Sequence, residues 1–308
     1  MASAAIADLL DGPARPAELI GSFPVAVYVK AAGGIVALVS PDGVRLPNAM
    51  VLSRVDHEIV RHAATGPVQV GDGEVRLGPV RVTPRRWWDP VPRLGRVDGG
   101  LLAGRLDAVR AILPNWPDDA EPAAGRLRAG REALASALAG TGDFAGTGDF
   151  AATRDLTWTR DFAGTRDLAG TVRSLVGLGA GLTPAGDDLL AGVMAGLEVF
   201  GTALERRDVR TLASRMRHEV VAHAAATTPL AADLAEHAAR GALVQPATDL
   251  CRAIADQRPG ADSALTPVVE RLLRLGHTSG RDLAEGLLLG ASTAQARSSG
   301  HDTPSSSG

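Results

Sequence analysis

The sequence predicts an α+β protein in which a strand-rich segment comes first and a helical one follows. Two patterns carry that prediction. Short β-branched runs cut by turn dipeptides fill roughly the first hundred residues, and apolar residues at three- and four-residue spacing dominate thereafter. A third observation makes it credible: 308 residues, 45% hydrophobic and 22% charged, suffice for one large core or two smaller ones. Aromatic residues are only 3%, so that core has to be built from Ala, Leu and Val.

In order along the chain, Val25 to Lys30, Gly34 to Ser40 and Val51 to Leu52 read as strands, separated by Gly33-Gly34 and Pro41-Asp42-Gly43. Val68 to Val70, Glu74 to Leu77 and Val80 to Val82 form a meander turning at Gly71-Asp72-Gly73. Asp56 to Ala64 is the one helix expected among these strands. The proline-rich stretch Pro84 to Pro92, with Trp87-Trp88-Asp89-Pro90, closes a barrel-like or meander domain over residues 1–98. Helices are predicted at Leu101–Leu113, Gly125–Leu138, Asp187–Gly201, Val209–Ala226, Leu230–Arg240, Ala247–Asp256, Pro267–Leu275 and Arg281–Ala291, giving a helical domain over 99–293. Inside it, Ala139 to Thr171 holds five copies of a hexapeptide like Ala-Gly-Thr-x-Asp-Phe/Leu, read as a flexible surface insertion at 139–171. The serine-rich end from Ala294 to Gly308 is expected to be disordered.

Charge and composition exclude several classes. The net charge is −3 and no basic stripe carries interleaved aromatics, so no nucleic-acid partner is expected. No apolar run approaches the ~18 residues of a membrane span. Asp8 and Asp11 interrupt the apolar runs near the N-terminus, against a signal peptide. The single Cys251, read as a buried inert thiol, fits a reducing, cytoplasmic setting. His218 and His223 are five residues apart, as are His57 and His62; on a regular helix that leaves the rings roughly 140° apart, so a zinc-hydrolase helix is rejected.

The chemistry is expected at two glycine loops that feed helices. In Gly177-Leu-Gly-Ala-Gly-Leu-Thr-Pro-Ala-Gly-Asp-Asp188, alternate glycines permit close backbone approach, and Thr183-Pro184 reads as an N-cap followed by proline at the first helical position. Free N–H groups and the positive end of the helix dipole then suit a small anion. The second loop is Gly276-His277-Thr278-Ser279-Gly280-Arg281-Asp282, with Ser279 to Asp282 fitting a capping box. Thr227-Thr228-Pro229 offers a third hydroxyl-bearing helix start, and the three are expected to converge on one pocket. Thr266-Pro267 is a mere cap, and Gly192 with Gly196 signals close helix packing. Two roles fit Asp187 and Asp188: ligands of a Mg²⁺ cofactor, or structural caps complementing the dipole.

These two loops, with Trp88-Asp-Pro90 and Thr227-Thr228, resemble the signature of the family of AllH, a subunit of the oxamate carbamoyltransferase of anaerobic allantoin breakdown. The resemblance implies transfer of a carbamoyl group between carbamoyl phosphate and oxamate, in assembly with dissimilar partner subunits. On that footing Asp187, Asp188 and His277 are the candidate catalytic residues. Gly179, Gly181, Thr183, Gly186, Thr228, Thr278, Ser279, Gly280 and Arg281 are the candidate substrate contacts, Arg281 supplying positive charge. Two other classes stay open: a Mg²⁺-dependent hydrolase or kinase of a phosphorylated metabolite, and a non-catalytic anion-binding regulatory subunit.

Overall fold

The computed structural model describes residues 1–53, 59, 65–114, 122–140 and 167–299. The expected helix at 56–64, apart from Ile59, and all of the hexapeptide repeat within 141–166 lie outside the described residues. The α+β order holds, with a curled nine-stranded sheet followed by helices. The strands are β1 (Ala2–Ser3), β2 (Arg15–Phe23), β3 (Ala26–Ala31), β4 (Gly34–Val39), β5 (Ala49–Val51), β6 (Val68–Gly71), β7 (Glu74–Leu77), β8 (Val80–Val82) and β9 (Trp87–Trp88). A short helix, α1 (Ala7–Asp11), sits between the first two. Their order in the sheet is β8-β7-β6-β2-β3-β4-β5-β1-β9. Most neighbours run antiparallel, but β4–β5 and β1–β9 are parallel. The Gly71-Asp72-Gly73 turn forms as expected: Asp72 and Gly73 adopt φ of 53° and 79°, the geometry of a tight hairpin between β6 and β7.

Alternation along β3 and β4 sorts the two faces of the sheet. Val27, Val29, Val36 and Leu38 enter a core closed by Ile6 and Leu10, whereas Ala26, Tyr28, Ala37 and Val39 point to the other face, where the helices stand.

The helices are α2 (Gly99–Ile112), α3 (Pro122–Gly140), α4 (Leu168–Leu175), α5 (Ala185–Ala203), α6 (Arg207–Ala222), α7 (Pro229–Ala238), α8 (Gln245–Ala255), α9 (Leu265–Leu273) and α10 (Ser279–Ser299). Asp98 starts α2 by accepting from the N–H groups of Gly100 and Leu101. The helix expected to run to Ala226 ends instead at Ala222 and is followed by a 3-10 turn, Ala224–Ala226. Thr266 caps nothing: a 3-10 turn over Ala261–Ala264 runs straight into α9, which already includes Thr266. The tail expected to be disordered from Ala294 is helical to Ser299, because Ala294 is fully buried and Arg297 reaches the Leu138 carbonyl at 2.8 Å. None of the described helices is long and apolar enough to cross a membrane.

α5 is the centre of the helical layer; it is apolar nearly all round and buries most of its residues. Its partner is α10. A Cβ on Gly192 would collide with the Leu283 carbonyl, and one on Gly196 with that of Leu287. Reciprocally, Gly286 presses on the Leu189 carbonyl and Gly290 on that of Val193. Contacts that advance together along both sequences mean the helices run parallel, so their two N-termini lie at the same end of the molecule.

Candidate active site

That parallel pairing brings the two glycine loops together. The Thr183 and Ser279 hydroxyls lie 3.0 Å apart, joining the loop before α5 to the start of α10. The third hydroxyl-bearing start joins them: the Thr228 hydroxyl donates to the Leu182 carbonyl at 2.5 Å. It also accepts from the Ala231 N–H at 3.0 Å, capping α7 with Pro229 at its first turn. The three helix starts therefore meet in the geometry, but only Thr183 and Ser279 line a common cavity, Thr227 and Thr228 staying outside it, and the individual caps differ from expectation. Thr183 does not cap α5; the N-cap position falls on Pro184. Nor does Ser279 close a capping box. The Thr278 carbonyl accepts from Arg281 and Asp282 N–H at 2.9 and 3.0 Å, and Asp282 turns to Arg281 at 3.0 Å. Both hydroxyls that the sequence assigned to caps are thus directed across the gap between helices.

The adjacent carboxylates diverge in role. Asp187 is 3% exposed; it accepts from the Gly177 N–H at 3.1 Å and from the Thr227 hydroxyl at 2.5 Å. It ties the glycine loop to the segment before α7. Gly177 adopts φ +72°, and a Cβ there would strike the Ala226 carbonyl, so the tie requires glycine. Asp188, one residue on and about 100° further around the helix, lines a cavity. Burial pushes its carboxyl up to about 8, aided by the negative charge of Asp282 and then Asp187, while hydrogen bonds from Ser279 and Thr183 oppose the rise. Its Oδ2 is buried and has no hydrogen-bond partner. Asp282, wholly buried, is also raised by desolvation, with Arg281 opposing, and its Oδ2 is likewise unpartnered. Three acids therefore stand in the first turns of two parallel helices, where the dipoles favour negative charge.

The cavity that Asp188 lines has a volume of about 310 Å³ and lies between the sheet and the helices. Tyr28, Val39 and Leu46 form its sheet side; Leu230, Leu234 and Leu283 face them; Thr183, Asp188 and Ser279 make its polar end. Sequence reading missed the sheet side altogether. The alternation of β3 and β4 marks which residues leave the sheet core, but no local signal says that helices cover that face.

The remaining candidates fall as follows. Gly179 and Gly181 are exposed and do not line the cavity. Gly186 and Gly280 are packing glycines: their N–H groups bond the Leu178 and Leu275 carbonyls at 2.8 and 3.1 Å, and a Cβ on either would collide with Leu175 or Leu272. With the Asp187 and Asp188 N–H groups also bonded, to the Pro184 carbonyl at 2.9 and 3.1 Å, the start of α5 is largely satisfied from within. His277 is exposed, and neither it nor Thr278 or Arg281 lines the cavity. Asp187 and Asp188 do not stand as a free pair: Asp187 spends both oxygens on Gly177 and Thr227, which leaves Asp188 as the one of the two that lines the cavity. Cys251 is buried, its thiol pushed up to about 12 by desolvation, and is inert as expected.

Neither the curated proteins nor the solved structures yield a match to this chain. Trp88-Asp89-Pro90 falls outside the segment that matches a family model, although the Pro90 carbonyl does anchor the helices by accepting from Leu243 N–H and the Thr248 hydroxyl. Residues 175–291, which supply both glycine loops, all of α5 and α10 as far as Ala291, match the family model of the oxamate carbamoyltransferase subunit AllH.

Proposed function

We propose that this chain is the AllH-like subunit of a cytoplasmic oxamate carbamoyltransferase, working with dissimilar partner subunits in purine breakdown. One observation carries the reading: Asp188, Thr183 and Ser279, all within the matched segment, meet at the polar end of the cleft. Carbamoyl transfer to oxamate forms a C–N bond at the amide nitrogen while the C–O bond to phosphate breaks. The nitrogen gives up a proton, and phosphate leaves with the bonding electrons. A carboxyl held near 8 suits that proton: its ionised form accepts from the nitrogen as attack proceeds, and its neutral form returns the proton in the reverse direction. The two hydroxyls orient the amide, so the chain's contribution is positioning and proton transfer. Asp187 acts by holding the loop, and Arg281 by fixing Asp282.

The test uses the assembly purified by a tag on this chain, assayed for oxamate-dependent phosphate release from carbamoyl phosphate. The expected result is turnover that falls about 100-fold or more in Asp188→Asn, within the usual range for a lost acid–base group. Binding of oxamate with no turnover in any purified assembly would instead favour a regulatory subunit.

A further inference from the structure

The cleft is larger and more apolar than oxamate requires. We propose that, beyond oxamate, it takes as carbamoyl acceptors primary amides or ureides carried on an aliphatic chain, with the N–H end at Asp188 and the chain between sheet and helices. This rests on the reading of the cleft as the acceptor site. At about 310 Å³ it stands at the lower limit of small-molecule sites, roughly 300 Å³, and a two-carbon acid amide leaves most of it empty. Its polar side chains, among the described residues, are Tyr28, Thr183, Asp188 and Ser279; the rest of the lining is aliphatic or glycine.

The polar end selects the head group. Asp188 Oδ2 is buried without a hydrogen-bond partner, so the carboxyl has a position open to an amide, which both donates and accepts. The Thr183 and Ser279 hydroxyls beside it both donate and accept, which matches an amide offering N–H and C=O together. A phosphate or a second carboxylate placed there is desolvated among aliphatic side chains, with no lining cation among the described residues to pair with it. Leucines and valines contributed by both layers then reward each added methylene by burial.

Calorimetry on the full chain at pH 7 tests this with acetamide, propionamide, butyramide, valeramide and hexanamide, the matching carboxylates, and oxamate. Affinity is expected to tighten about fourfold per methylene until the cavity is full, with each carboxylate weaker than its amide. Ala242→Leu, which adds volume to the cavity wall, should remove the gain with chain length, so that hexanamide binds no tighter than acetamide. Asp188→Asn should weaken the whole series. A flat series in which oxamate binds as well as hexanamide through Asp188 overturns the aliphatic preference but leaves the acceptor site standing. Absence of all binding, or binding indifferent to Asp188→Asn, overturns the acceptor site as well.

Discussion

Asp187 and Asp188 show how one residue of helical rotation separates structure from chemistry. Asp187 is saturated by the Gly177 N–H and the Thr227 hydroxyl, so Asp187→Ala leaves a buried donor unpaired at both sites. Such a loss costs about 1–3 kcal/mol, and urea denaturation should show it as a lower midpoint. Asp188 behaves oppositely. Its carboxyl is raised in the fold from 3.8 to about 8, so the folded state holds a proton that the unfolded chain has released across that interval. The associated stability is complete below pH 4 and declines as pH rises towards 8. Asp188→Asn, which cannot ionise, should therefore melt progressively higher than the parent between pH 4 and 8. A constant difference in melting temperature across that range would show that Asp188 titrates normally. The sequence exposed the pair but not their division of labour, because which acid turns inward depends on where Gly177 and Thr227 lie in space.

At the scale of elements, the site exists because α5 and α10 are parallel and nearly in backbone contact. Periodicity placed both helices, and the Gly192–Gly196 spacing announced close packing. The matching pair Gly286 and Gly290 completes the contact. Gly286→Ala drives a methyl into the Leu189 carbonyl, which no side-chain rotation relieves. Overpacking of this kind costs about 1–3 kcal/mol and should also separate Thr183 from Ser279, weakening ligand binding in calorimetry beyond the effect on stability. Gly104→Ala, in α2 with open space around it and an ordinary helical backbone, serves as a control that should leave binding unchanged. Other elements escaped the sequence for identifiable reasons. β2 is spelled Arg-Pro-Ala-Glu-Leu-Ile-Gly-Ser-Phe, poor in β-branched residues, and becomes a strand through pairing with β3 and β6. α4 hides at the edge of the repeat. Thr183 and Ser279 looked like caps because the same side chains serve both purposes.

Across the whole molecule, the cleft depends on the sheet staying seated on the helices. Asp233 of α7 does much of this: it accepts from Ile35 N–H at 3.1 Å and from Asn48 Nδ2 at 2.7 Å, joining α7 to β4 and to the residue before β5. Asp233→Ala should raise hydrogen exchange at the Ile35 amide and lower affinity for cleft ligands, while exchange within α5 stays slow. Exchange that stays slow at Ile35 would mean the layers are held elsewhere. Fold class was legible from composition shift and periodicity; the layer-on-layer docking was not, since Asn48 and Asp233 are 185 residues apart. The convergence of the loops was legible in kind, but its character changed. The sequence suggested a wet anion pocket lined by free amides, and the fold presents a cleft with aliphatic walls and one carboxyl at its end.

The most direct measurement is the titration of Asp188 itself, by carbon NMR of aspartate side-chain carboxyls in the full chain, assigned with Asp188→Asn. The account predicts one resonance, absent from the variant, that titrates near pH 8 and moves when oxamate or butyramide is added. A spectrum in which the Asp188 carboxyl titrates with the ordinary surface aspartates and ignores both ligands would contradict it.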